Sequence, residues 1–254
     1  MGIVNATPDS FSDGGRYLDP DRAVEHGTKL AHEGALLLDV GGESTRPGSA
    51  PVETGEELER VLPVVTGLAA SGLLVSIDTR KPEVARQAVE AGAGLINDIT
   101  GGRDPQMIEV AARLGVPLLL MHMQGEPRTM QRDPQYDDVV SEVHGYLEEQ
   151  ARLALAAGVP DVLLDPGIGF GKKLEHNQQL MRALPQLAGS GKVLVGASRK
   201  STIAAIAGES EARDRDGGSV ALHLWAASCG AAMVRVHDVR AHVQALRVWE
   251  WLHG

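Results

Sequence analysis

Eight short apolar runs along the chain each end in a polar residue and then in glycine- or proline-rich sequence. They are Gly2-Ile3-Val4 before Asn5, Leu36-Leu37-Leu38 before Asp39, Leu74-Val75-Ser76-Ile77 before Asp78, and Leu95-Ile96 before Asn97. The second half repeats the pattern: Leu118-Leu119-Leu120-Met121 before His122, Val162-Leu163-Leu164 before Asp165, Val193-Leu194-Val195-Gly196 leading to Ser198, and Met233-Val234-Arg235-Val236 before His237. Runs this short, without polar alternation, suit parallel strands covered by helices on one face and by side-chain layers on the other. Eight of them predict an α/β fold, a (β/α)8 TIM barrel, in which the strand ends and the loops after them form the functional face.

Helical periodicity fills the intervals. It predicts helices over Asp21–Glu33, Thr54–Leu68, Pro82–Ala91, Pro105–Leu114, Val139–Ala157, His176–Leu187, Ser201–Ile206 continuing after Gly218, and Val239–Leu252, one after each strand. Thr54-Gly55-Glu56-Glu57 has the spacing of a capping box. In the last helix Trp249 and Trp251 stand two apart and so face nearly opposite sides, which leaves one of them for a second surface; a homodimer is the expected partner.

Composition narrows the class. The 254 residues suit one barrel, and no linker divides them, so a single domain over 1–254 is expected. With 43% hydrophobic and 23% charged residues the chain reads as globular, and its net charge of −10 argues against nucleic acid as a partner. A local cluster of cations can still hold a small anion. No apolar stretch approaches the roughly 18 residues of a membrane span, and the first strand begins at once, leaving no room for a signal peptide. A cytoplasmic location with no membrane partner is expected. The lone Cys229, in an Ala-rich helix, reads as a buried structural thiol.

The strand-end residues fall into two chemical groups. Asp78, Asn97 and Asp165 offer acceptors, and a carboxylate facing a guanidine-like pair of N–H groups makes a bidentate bond, so these suit the edge of a polar heterocycle. Arg46, Lys200, Arg235 and His237 are cationic; Arg235 and His237, two apart on one strand, share a face and suit a multiply charged anion such as diphosphate. Lys200 and Ser201 open a helix, where unpaired backbone N–H groups attract anions. The only two phenylalanines, Phe11 and Phe170, lie in polar loops, where they can clamp a flat ligand. The loops Asn5–Gly15 and Asp39–Gly48 are long and rich in functional side chains, as lids are. His122 reads equally as a ligand contact or a core histidine. Gly167-Ile168-Gly169-Phe170-Gly171-Lys172 lacks the Ser or Thr that a phosphate loop needs after its lysine, and no His pair has zinc-site spacing.

Taken together, MGIVNATPDSFSDGG from Met1, DVGGESTRPG from Asp39, SIDTRKPEV from Ser76, INDI from Ile96, LMHMQG from Leu120, LLDPGIGFGK from Leu163, GASRKS from Gly196 and RVHDV from Arg235 resemble the dihydropteroate synthases, in order and over almost the whole chain. The resemblance implies a transferase of folate biosynthesis that joins 7,8-dihydropterin-6-ylmethyl diphosphate to 4-aminobenzoate, uses Mg²⁺, is dimeric and is inhibited by sulfonamides. It further implies that Asp78, Asn97, Met121, Asp165 and Lys200 hold the pterin, that Asn5 reaches the metal, and that Arg46, Arg235 and His237 hold the diphosphate. Thr45, Pro47, Phe170 and Ser201 would form the aminobenzoate pocket, and Phe11 and Asp13 would lie in the first closing loop.

Most members of that family carry further residues before the first strand, often a hairpin under the barrel, so the chain is expected to lack this extension. Two other functions share the barrel: a methyltransferase passing a methyl group from a folate to a corrinoid protein, and a catalytically silent pterin-binding paralogue. The first should lack the Ser-Thr-Arg-Pro of the second loop and the Ser-Arg-Lys-Ser helix start; the second should have lost loop residues.

Overall fold

Alternate residues of the strands segregate into two separate cores, and this segregation puts the polar strand ends in one place. The computed structural model describes residues 1–7, 19–44, 49–208 and 211–253. Its strands are β1 (Gly2–Asn5), β2 (Leu38–Gly41), β3 (Val75–Asp78), β4 (Leu95–Asp98), β5 (Leu118–Met121), β6 (Val162–Asp165), β7 (Lys192–Val195) and β8 (Met233–Val234), all parallel and paired in chain order. The ring closes where Gly2 pairs in parallel with Val236: Ile3 N–H donates to the Val236 carbonyl and Val236 N–H to the Met1 carbonyl, each at 3.0 Å.

Outward residues such as Ile96, Leu118, Leu120, Leu164, Val193 and Val195 join the helices in one large core. Inward residues Leu95, Leu119, Leu163 and Leu194 form a second, smaller cluster inside the barrel. Because side chains alternate along a strand, the inward positions two residues beyond these leucines are Asn97, Met121, Asp165 and Gly196. An apolar plug therefore lies directly beneath a polar floor.

Helices α1 (Pro20–His32), α2 (Thr54–Ala70), α3 (Pro82–Glu90), α4 (Pro105–Leu114) and α5 (Val139–Ala156) follow the first five strands, except that α5 is set off from β5 by a longer loop. Asp19, Asp104 and Asp138 cap α1, α4 and α5 by accepting backbone N–H groups of the first turn. On α2 the stripe Val61, Val64, Val65 and Leu68 is wholly buried, about 2 kcal/mol of transfer free energy per side chain.

Several expectations need correction. The second strand does not end at Asp39: Leu36 is exposed, the strand starts at Leu38, and Asp39 is a buried inward residue within it. The leucine run had included part of the turn before the strand. The capping box at Thr54 is absent, since Glu53 is the N-cap and Glu57 is fully buried, accepting from Thr79 Oγ1 at 2.7 Å and pairing with Lys81 Nζ. Partners on the neighbouring loop outcompete the helix's own N-terminus. The single helix predicted over His176–Leu187 is two, α6 (Leu174–Arg182) and α7 (Leu184–Ser190), because Pro185 fits a first turn but not a helix interior. The seventh connection likewise carries two, α8 (Ser201–Ala207) and α9 (Asp216–Ser228), with a 3-10 turn at Ala212–Arg215; α10 (Val239–His253) follows β8. Cys229 is half-buried, not buried.

Candidate active site

A cavity of about 310 Å³ opens at the C-terminal ends of the strands. The described residues expected to act, namely Asn5, Asp78, Asn97, Met121, Asp165, Phe170, Lys200, Ser201, Arg235 and His237, all line it. Phe11, Asp13, Thr45, Arg46 and Pro47 lie outside the described residues.

The floor is a charged network built across the barrel. Arg235 Nε donates to Asp39 Oδ2 at 2.5 Å and its Nη2 to Asp78 Oδ2 at 2.7 Å. Asn97 Nδ2 donates to the same Asp39 oxygen at 2.9 Å, which leaves its side-chain carbonyl as the acceptor for a ligand. Among the described residues the buried Asp39 Oδ1 has no hydrogen-bond partner. Burial raises the Asp78 carboxyl to about 7; Arg235 opposes the shift, and Asp39, Glu57 and Asp98 add to it. Burial also raises Asp165, against the pull of Lys200.

Asp165 begins the loop that carries Phe170. Its Oδ1 accepts the Gly167 N–H at 2.7 Å, folding the chain back on itself. Gly167 has φ +67°, and a Cβ there would lie 1.9 Å from the His122 carbonyl oxygen, so only glycine fits. Beneath the loop the buried Lys172 ammonium meets His122 Nδ1 and the His122 carbonyl at 3.1 Å and the Phe170 carbonyl at 2.9 Å. His122, with its ring near Tyr136 and Tyr146, is therefore a satisfied core residue and does not line the cavity. On the cavity side Lys200 Nζ sits 4.3 Å from the centre of the Phe170 ring and donates to the Ile168 carbonyl. Burial lowers the Lys200 ammonium to about 8, with Asp165 pulling the other way.

The remaining wall is cationic. Ser198 Oγ accepts the His237 backbone N–H at 3.2 Å and lies 2.9 Å from His237 Nδ1. Arg199, at φ +58°, is held in this left-handed conformation by a bidentate pair with Asp216 at 2.7 and 2.8 Å. Its N–H donates to Ser219 Oγ, and Arg215 donates to its carbonyl.

Sequence reading missed several residues. Ile99, Met123 and Met130 join Met121 and Phe170 in an apolar cluster, and Ile99 and Met130 line the cavity with them; Met130 stands in an irregular loop with no periodicity to mark it. From the sequence Asp39 reads only as a strand end, although a buried aspartate inside an apolar strand signals a partnered charge. Glu43, which leads into the second loop, pairs with Arg80 at 2.8 Å and Lys81 at 2.5 Å, and Lys81 also reaches Glu57. The Asp-Thr-Arg-Lys run after β3 carried this network in plain view.

For a metal, no three His, Cys, Asp or Glu side chains converge among the described residues. Asn5 brings an amide group to the cavity, and one protein oxygen beside ligand phosphate oxygens is a donor set that suits Mg²⁺, which keeps much of its water and seldom takes an all-protein cage.

The pterin-binding enzyme family model matches residues 1–237. The dihydropteroate synthase of Escherichia coli strain K12 is 48% identical over 256 aligned positions, which cover 98% of this chain and 90% of that protein. The Xanthomonas albilineans dihydropteroate synthase solved with 4-aminobenzoic acid is 51% identical, with a TM-score of 0.94 over 100% of this chain and 92% of that one. The Thermus thermophilus enzyme in complex with 6HMPPP is 49% identical, with a TM-score of 0.88 over 99% and 93%. With the barrel, the acceptor floor and the cationic wall in place, these likenesses settle the lineage: the chain belongs to the pterin-binding enzymes, in the branch of the dihydropteroate synthases.

Proposed function

We propose that this chain condenses 7,8-dihydropterin-6-ylmethyl diphosphate with 4-aminobenzoate, releasing diphosphate and giving 7,8-dihydropteroate. The observation that carries the reading is one cavity with acceptors on its floor and cations on the adjoining wall. Asp78, Asn97 and Asp165 accept the N–H groups of the pterin's guanidine-like edge, while Met121 and Lys200 flank its ring. Arg235 and His237 hold the diphosphate, and Arg46 of the second loop is assigned to it as well. Mg²⁺ held at Asn5 would supply further neutralisation of the leaving group's charge when bound.

The C–O bond to diphosphate breaks with the electron pair leaving on oxygen, and the resulting charge falls beside Arg235 and His237. Positive charge left on the pterin methylene is delocalised into the ring beside the floor carboxylates. The neutral arylamine then forms the new C–N bond and loses one proton; a weakly basic aniline needs no strong general base before attack. Phe170 and Ser201 border its site, to which the family resemblance also assigns Thr45 and Pro47, and the same resemblance assigns Phe11 and Asp13 to a loop that closes over it. The reading includes a homodimer, supported by Trp251 on α10, which is 81% exposed. It also assigns the enzyme to the cytoplasm; no described helix is long and apolar enough to cross a membrane.

The test is diphosphate release by purified protein given the pterin diphosphate, aminobenzoate and Mg²⁺. Release that depends on aminobenzoate is expected; binding of the pterin substrate without release would leave a silent paralogue.

A further inference from the structure

Two buried histidines behind the cavity have no part in the reaction described above. His223, on α9, is 1% exposed, and His242, on α10, is 3% exposed. Their rings lie 4.9 Å apart, tilted by 52°. Three hydrogen bonds run through them in series: Ala197 N–H to His223 Nε2 at 3.0 Å, His223 Nδ1 to His242 Nε2 at 2.8 Å, and His242 Nδ1 to the Asp238 carbonyl at 2.6 Å.

The two ends of this series fix every proton in it. A backbone N–H can only donate, so His223 Nε2 accepts and the ring's single proton sits on Nδ1. That proton is donated to His242, whose Nε2 therefore accepts and whose Nδ1 carries the proton given to the Asp238 carbonyl. Both rings are neutral and both are in the Nδ1–H form. Burial and the neighbouring His242 ring, with the Lys200 ammonium nearby, hold His223 down to about 3, and burial lowers His242 despite the Asp238 and Ser219 backbone and the Asp216 carboxylate, so neither ring takes a second proton near neutral pH.

The residues at the two ends give the series its meaning. Ala197 precedes Ser198 and leads into Lys200; Asp238 follows His237. On the cavity side Ser198 and His237 already touch through the serine hydroxyl. The segment after β7 and the end of β8 are thus tied twice, once by Ser198 in front and once by the histidine pair behind. We propose that His223 and His242 are positioning residues that set the spacing between Lys200, beside the pterin, and His237, at the diphosphate. This rests on the function proposed above. Replacing the pair with apolar side chains would leave the Ala197 N–H buried without this acceptor and the Asp238 carbonyl with only the long 3.4 Å bond from the His242 backbone N–H, and each segment would relax separately.

The test compares His223→Leu, which removes the acceptor at similar volume, with His223→Gln, which can restore it. The expected result is a kcat/KM for the pterin diphosphate about tenfold lower in His223→Leu, through both kcat and KM, and mostly recovered in His223→Gln, with both proteins folded by circular dichroism at the assay temperature. A folded His223→Leu within twofold of the parent, or two variants equally impaired, would overturn the proposal. If His223→Leu does not fold, His242→Asn, which keeps a donor for the Asp238 carbonyl but loses the acceptor for His223, is read in the same way. Nitrogen-15 NMR of the parent protein tests the wiring without any assay: both rings should show the Nδ1–H form at about pH 7 to 8, and an Nε2–H ring at His223 would overturn it. A parent protein that shows this wiring but releases no diphosphate refutes the functional reading and leaves the tautomer assignment standing.

Discussion

Arg235 Nη2 lies 2.7 Å from Asp78 Oδ2, so the cation proposed for the diphosphate and the carboxylate proposed for the pterin are hydrogen-bonded to each other. The contact joins the residue just after β8 to the end of β3, and Asp39, which takes the Arg235 Nε–H, completes the pairing. In the proposed function substrate binding is therefore an exchange: the pterin's N–H groups would compete for Asp78 while the diphosphate would compete for Arg235. A ligand that brings both ends replaces both halves of the pair, whereas one that brings a single end leaves an opposite charge exposed. Two-headed ligands are favoured for that reason.

The Asp78 carboxyl, raised to about 7, predicts an acid limb in catalysis. Below that value it is protonated and loses its strength as a bidentate acceptor, so kcat/KM for the pterin diphosphate should fall as pH drops through about 7, and Asp78→Asn should give a low, flat profile. Folding lifts this pKa above the unfolded 3.8, so the native state binds the extra proton between 3.8 and about 7. Its contribution to stability therefore declines as pH rises through that window. Urea midpoints at about pH 5 and pH 8 should differ less in Asp78→Asn than in the parent.

Lys200 predicts the opposite limb. Its ammonium, lowered to about 8, loses charge above that pH and with it the attraction to Asp165 and the contact over Phe170. The rate should fall on the alkaline side of about 8. Lys200→Arg, which stays charged, should erase this limb while lowering kcat/KM about tenfold through its different shape.

Glu57 predicts a stability effect away from the substrate. Glu57→Gln weakens the bonds to Thr79 and Lys81 in a buried setting, while Glu43 still pairs with Lys81. The expected loss is about 2 kcal/mol by urea unfolding, and Glu57→Gln combined with Glu43→Gln should lose more than the sum of the two.

Gly167→Ala should fail more severely. The added methyl meets the His122 carbonyl, so the loop has to move off the β5 end and carry Phe170 with it. The expected outcome is a KM for aminobenzoate raised by at least about tenfold, or a fall in thermal midpoint of several degrees where the loop holds and the strain stays.

Asn5→Ala should raise the Mg²⁺ concentration needed for half-maximal rate by about tenfold, with little change in binding of a diphosphate-free pterin measured by calorimetry. An unchanged metal requirement would move the metal away from β1.

Much of the barrel was legible because its strands are buried on both faces and therefore read as unbroken apolar runs. Asp78 and Asp165 could be found at strand ends for that reason, whereas β4 runs one residue past Asn97 to Asp98. Asp39 is misplaced by the apolar run, since Leu36 before the strand looks like a strand residue until its exposure distinguishes it. Glu57 was misread because a local capping pattern and a long-range partnership use the same side chain, and the long-range partners prevail. Met130 and the histidine pair left no periodic trace: their roles come from loops and helices far apart in the chain, which only packing brings together.

The leucine plug under the floor carries one further meaning. Leu95, Leu119, Leu163 and Leu194 do more than fill the barrel, for they place hydrocarbon beneath Asn97, Met121, Asp165 and Gly196 and so maintain the low dielectric that raises the Asp165 carboxyl. They act as an electrical insulator beneath a set of terminals. Trimming Leu119 to alanine should therefore register in the acidity of the site as well as in the melting curve, and the proton affinity of the Asp165 carboxyl depends on side chains that bear no charge at all.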